Sequence, residues 1–146
     1  MKGPTPAAVD LVQVLLVEDS LADIELTLEA LETAKVANHV TVVRDGDAAV
    51  ARLQDRTQPR PDLVILDLNL PRRSGHEVLA VMRADEALRR IPVAVLTTSS
   101  AEADVARTYD LGANCFLTKP VDMDQFMQVV QSIDEFWLGL VRLPPT

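Results

Sequence analysis

Asp67 closes the apolar run Leu63 to Leu66 in the stretch DLVILDLNLPRRSG, and a carboxylate in that place needs a partner. A buried, unpaired charge costs several kcal/mol or takes up a proton. Two more acids, Glu18 and Asp19, follow the run Val12 to Val17. Thr97 and Thr98 end the run that begins at Pro92, and Thr118 and Lys119 end the one that begins at Asn114. Crowded carboxylates repel, and a hard divalent cation relieves them: Mg²⁺ takes oxygen ligands in an octahedron at about 2.1 Å and keeps some waters. A lysine beside such a metal makes a phosphate site, since both neutralise phosphoryl oxygens. No Gly-rich phosphate loop of the GxxxxGK[ST] kind is present, so the phosphoryl group is expected on the protein and not on a bound nucleotide. An aspartate carboxylate can act as a nucleophile and carry an acyl phosphate, which makes Asp67 the candidate acceptor.

These residues matter together only if the fold brings the ends of the runs to one edge. The strand candidates are Val12 to Val17, Val40 to Arg44, Leu63 to Leu66, Pro92 to Thr97 and Asn114 to Leu117. A helix candidate follows each. The first carries Leu21, Ile24, Leu28 and Leu31 on one stripe, and later ones carry Val78, Leu79 and Met82, then Phe126, Val129, Val130 and Ile133. Helix starts show the same capping pattern at Ser20 with Asp23, Ser74 with Glu77, Ser99 with Glu102, and Asp122 with Gln125, and Gly112 stands where a helix should stop. Strands alternating with helices predict a doubly wound α/β domain with a five-stranded parallel sheet and helices on both faces. Ligands of such sheets bind outside the carboxyl ends of the strands, where strand order reverses. The acids, hydroxyls and ammonium above all fall on that edge.

Composition sets the bounds. A chain of 146 residues, 48% hydrophobic, is one domain with a real core. Its formal charge of −8 and lack of a basic stripe argue against nucleic acid as a partner. The single cysteine, Cys115, excludes an internal disulfide, suits a reducing cytoplasm and is expected to pack as a small apolar group. Residues 1–10, with two prolines and no apolar core, read as a flexible tail and neither a signal peptide nor an anchor, and no apolar run reaches the roughly 18 residues of a membrane span. His39 and His76 have no companion at ligand spacing and are expected at the surface; Tyr109 is expected to pack on the helix after the fourth strand. Thr98, Ser99 and Ser100 suit a loop and a cap better than catalysis.

The set Glu18-Asp19, Asp67 in LDLNLP, Thr97 and Lys119-Pro120 resembles the receiver domain of bacterial two-component response regulators, over about residues 11–138. The resemblance implies a flavodoxin-like sheet of strand order 2-1-3-4-5, with residues 139–146 as a C-terminal extension. It implies that Asp67 is the phospho-acceptor, that Asp19 and the main-chain carbonyl of Asn69 bind Mg²⁺ with Asp67, and that Glu18 helps through water. Lys119 would pair with the phosphoryl group, across a Lys119-Pro120 bond that is typically cis in the family, and Thr97 would swing towards it as the switch. Two residues depart from the pattern. Phe116 stands where many receivers carry a Tyr or His that changes rotamer, and it has no hydroxyl to mark a state. Thr98 stands where the family often has alanine or glycine, and its bulk narrows access to the phosphoryl group.

The function expected is therefore a stand-alone regulator, not an enzyme on other substrates, that takes a phosphoryl group from a sensor histidine kinase and passes the signal on by protein contact. A degenerate docking module is disfavoured by the complete set of acids, threonine and lysine. A phosphatase with an aspartyl nucleophile needs a second Asp two residues on as general acid, and Asn69 fills that position. The stretches VEDSLADIELTLEAL, LDLNLPRRSGHEVL and DEFWLGLVRLP look most like the small regulators paired with phytochrome-type histidine kinases. In the last stretch Phe136, Trp137, Leu140 and Leu143 exceed what one helix stripe needs, so a homodimer through this part of the chain is expected.

Overall fold

The computed structural model describes residues 11–33, 37–97, 102–113 and 115–118, with the backbone alone for 96–97, 102–105 and 115–118. Five strands form one sheet: β1 (Val12–Val17), β2 (Asn38–Val43), β3 (Leu63–Leu66), β4 (Val93–Thr97) and β5 (Cys115–Thr118). Every neighbouring pair is parallel, and the order across the sheet is β2-β1-β3-β4-β5. The chain steps from β1 outwards to β2 and then returns to place β3 on the other side of β1. Strand order thus reverses between β1 and β3, the two strands that end in Glu18 and Asp67.

Both faces of the sheet are covered, which is why its central strands are mostly apolar instead of alternating, with Gln13 in β1 and Thr97 at the end of β4 as the polar residues. On one face Leu15, Val17, Val64, Leu66, Val93 and Val95 meet α2 (Gly46–Gln54), through Ala49, Val50 and Leu53, and α3 (Gly75–Ala84), through Val78, Leu79 and Met82. On the other, Val14, Leu16, Leu63 and Ile65 meet Ile24, Ala30 and Leu31 of α1 (Leu21–Glu32). Each fully buried Leu, Ile or Val contributes about 1.5–3 kcal/mol, so β3, buried at all four positions, is a central part of the core. The edge strand β2 is only partly buried, and it starts two residues before the expected Val40 because its pairing with β1 begins at Val12↔Asn38.

Helix starts are set by side-chain caps. The Ser20 hydroxyl accepts from the Asp23 amide at 3.3 Å, and Ser74 and Glu77 form a reciprocal box in which the Ser74 amide donates to Glu77 Oε1 at 2.9 Å. Asp45 caps α2 by accepting from the Ala48 amide at 2.7 Å. α4 (Glu102–Asp110) ends before Gly112, whose φ of +93° is the left-handed conformation a helix stop needs. Tyr109 lies on this helix, 48% exposed. His39 is exposed, as expected, but His76 is 9% exposed and so buried. It follows Gly75, which packs so closely under the end of β3 that a Cβ there would meet the Asp67 carbonyl oxygen at 2.5 Å, so the first turn of α3 lies against the sheet. The expected last helix, its cap Asp122 with Gln125, the cap Ser99 and the two ends at 1–10 and 139–146 lie outside the described residues. No helix among the described residues is long and apolar enough to cross a membrane.

The box at α3 makes two predictions. Ser74→Ala removes a cap and should cost about 1 kcal/mol in urea unfolding. The bond from the Ser74 amide, with the nearby Arg73 guanidinium, holds the Glu77 carboxyl below the usual glutamate range. A depressed folded value adds stability that is present above the unfolded value and lost as pH falls through the folded one. Glu77→Gln keeps the geometry without the charge, so its stability deficit against the parent protein should be largest near neutral pH and close in acid; a deficit that grew on acidification would contradict the cap.

Candidate functional site

The sheet's hydrogen bonding runs one residue past the ends of β1 and β3. The Glu18 amide donates to the Val43 carbonyl and the Asp67 amide to the Val17 carbonyl, each at 3.0 Å. With Val17 level with Leu66 in the ladder, the next positions are Glu18 and Asp67, side by side at the point of strand reversal. Both are buried, at 3% and 6% exposure. Two carboxylates withdrawn from water in adjacent positions form an arrangement that costs free energy unless donors and cations answer it.

Part of the answer is local. Glu18 Oε2 accepts from the Asp19 and Ser20 amides at 3.0 and 3.1 Å, so this acid turns back on the start of α1. Asp67 Oδ1 accepts from the Asn69 amide at 3.0 Å, which fixes the rotation of the carboxylate. Asp19 is partly exposed and Asn69 exposed. Among the described residues no three His, Cys, Asp or Glu side chains gather into a ready metal-holding group. Glu18 Oε2 is occupied by its own backbone, and the other acids at this strand edge are Asp19 and Asp67. A donor set of oxygens alone, rich in negative charge and without thiol or imidazole, fits a hard cation such as Mg²⁺.

The remaining expected site residues are placed only by their backbone. Register Leu66↔Val95 sets Thr97 just beyond the level of Asp67 on the adjoining strand, and Phe116 pairs with Val95 in β5. Lys119 follows Thr118, the last residue of β5, and it lies outside the described residues with Thr98, the Lys119-Pro120 bond and Phe136, Trp137, Leu140 and Leu143.

The loop from Asp67 to Gly75 closes on itself, the Gly75 amide donating to the Leu68 carbonyl at 3.0 Å. Within it Arg72 has a φ of +70°, a left-handed backbone that costs a residue with a Cβ about 1–2 kcal/mol. Three arginines that motif spacing did not single out stand around these loops. Arg44 Nη2 donates to the Asp19 carbonyl at 2.9 Å, Arg73 Nε to Asp47 Oδ1 at 2.9 Å, and Arg72 Nε lies 3.8 Å from Asp45 Oδ2. The only sequence signal for them is a cluster of Arg and Asp in two loops expected on the same edge.

Comparison with known proteins agrees with this geometry. A profile of the response regulator receiver domain matches residues 14–131. The chain is similar to the response regulator Rcp1 of Synechocystis sp., 47% identical over 135 residues that cover 90% of this chain and 92% of that one. Among solved structures it is similar to the phosphorylated cyanobacterial phytochrome response regulator RcpA, with a TM-score of 0.83 and 46% identity over 92% of this chain and 99% of that one. The Mn²⁺-bound form of Rcp1 gives a TM-score of 0.81 and 45% identity, at the same coverage. With strand order, buried acids and sequence all in agreement, the chain belongs to the response regulator receiver domain family.

Proposed function

We propose that this protein is a stand-alone, phytochrome-linked response regulator of the cytoplasm that accepts a phosphoryl group on Asp67 from a sensor histidine kinase. The observation that carries the reading is the buried acid pair at the strand reversal, with the Asp67 carboxylate held by the Asn69 amide. The similarity to a phosphorylated phytochrome response regulator supports it. Asp19, Asp67 and the Asn69 carbonyl would hold Mg²⁺, with Glu18 acting through water. Held there, the ion would supply positive charge to offset the phosphoryl oxygens beside the acids.

An Asp67 carboxylate oxygen attacks phosphorus while the P–N bond to the kinase histidine breaks, and the leaving imidazole takes up a proton. Lys119 balances the charge that arrives on Asp67, and Thr97 turns towards the phosphoryl oxygens. Phe116, in β5, has no hydroxyl with which to mark the switched state, so the switch rests on packing alone or is weaker, and Thr98 narrows the approach to the acyl phosphate. The chain also catalyses loss of the group by water, which limits the signal's duration. A homodimer through Phe136, Trp137, Leu140 and Leu143 passes the state on by contact.

Intact-mass measurement with acetyl phosphate should show one phosphoryl adduct that needs Mg²⁺ and disappears in Asp67→Asn. An adduct that survives the substitution, or forms equally well in excess chelator, would sink the assignment. Light scattering at micromolar concentration should show a dimer that is lost on truncation after Ile133; a full-length chain that stays monomeric with and without phosphate defeats that part of the reading.

A further inference from the structure

The segment from the end of β2 into the first turn of α2, residues 44–47, holds none of the groups assigned to phosphoryl chemistry, yet it touches both loops that do. Towards β1, the Arg44 guanidinium holds the carbonyl of Asp19 at 2.9 Å. Towards β3, the Gly46 amide donates to the Pro71 carbonyl at 3.2 Å, an oxygen that also accepts from the Arg73 amide at 2.8 Å. Asp47 and Asp45 receive Arg73 and Arg72, while Asp45 caps α2 with its other oxygen. The closest approach is backbone on backbone. A Cβ on Gly46 would lie 1.9 Å from the Arg73 carbonyl oxygen and 2.5 Å from the Arg73 Cβ, so no side chain fits without moving the loop.

We propose that residues 44–47 act as a tie that positions the Asp19 loop and the Asn69 loop against each other, with Arg44, Gly46 and the Asp47–Arg73 pair as positioning residues for the metal-binding oxygens. The inference rests on the assignment of Asp19, Asp67 and Asn69 as Mg²⁺ ligands. Its physical basis is the position of Asn69: an exposed residue on a loop must present a main-chain carbonyl to an ion that tolerates little departure from octahedral geometry. The loop's closure by Gly75 sets its far end, and contact with Gly46 sets its outer side. An exposed ion pair alone contributes little, so most of the positioning comes from the hard-sphere contact at Gly46 and less from Arg73 with Asp47.

The test uses the full chain and Mg²⁺ alone, with affinity read by calorimetry and loop order by amide exchange at Asn69 and Gly75. Gly46→Ala should weaken Mg²⁺ binding about ten-fold, the scale of losing a support behind metal ligands, and speed exchange at both amides while the β3 amides stay protected. Arg73→Asp should weaken binding about two- to three-fold, and adding Asp47→Arg to it should restore the affinity, which a general loss of stability would not do. Parent-like affinity and exchange in Gly46→Ala overturn the tie. If that variant does not fold, parent-like affinity in Arg73→Asp overturns it instead. A parent protein that binds no Mg²⁺, with exchange still accelerated in Gly46→Ala, refutes the ligand assignment and leaves the tie standing.

Discussion

Two main-chain hydrogen bonds, Glu18 to Val43 and Asp67 to Val17, carry the sheet one residue beyond its apolar strands, and the site depends on them. They commit two acids to buried neighbouring positions, where each needs a donor or a cation. Glu18 meets the amides at the start of α1, and Asp67 meets the amide of Asn69. Those arrangements in turn set where α1 begins and how the Asn69 loop leaves β3. The tight fit of Gly75 beneath Asp67 fixes the start of α3 in the same way.

The core and the edge of the sheet are held by different forces. Below Glu18 and Asp67 the strands are locked by apolar burial on both faces, which is large and insensitive to salt. Above them the loops are joined by the backbone contact of Gly46 with Arg73, to which single hydrogen bonds and exposed Arg–Asp pairs add little, the ion pairs being weakened by ionic strength. In a chain of net charge −8, Arg44, Arg72 and Arg73 supply positive charge at the edge where acids are densest.

How much of this the sequence revealed depended on burial. β1 and β3 were legible to the residue because strands covered on both faces are almost wholly apolar, β3 without interruption and β1 with Gln13 as its one polar residue. β2 was legible only in outline, since an edge strand with Asn38 and His39 at its start gives no such run. α1 and α3 showed through their serine caps and stripes, except that Leu21, expected in the stripe of α1, is 59% exposed. α2 carried its signal in Asp45, a cap that reads equally well as a turn. The placement of Glu18 and Asp67 followed from the rule that ligands sit at strand ends. The burial of His76 did not, because it depends on how closely the first turn of α3 packs under β3, and spacing along the chain does not encode that. The same holds for Arg44 and Gly46, whose partners are carbonyl oxygens that every residue possesses.

The strand order also bears on how the chain reaches this state. β1 meets β2 after one connecting helix, but meets β3 only after two, and every pairing in the sheet is parallel and non-local. Closing longer loops costs more chain entropy before any contact repays it, so the β1–β3 junction belongs to the slow part of folding. Glu18 and Asp67 flank that junction. Two buried acids are therefore brought to neighbouring positions in the same step that pairs the central strands, so the site takes shape only as the core closes.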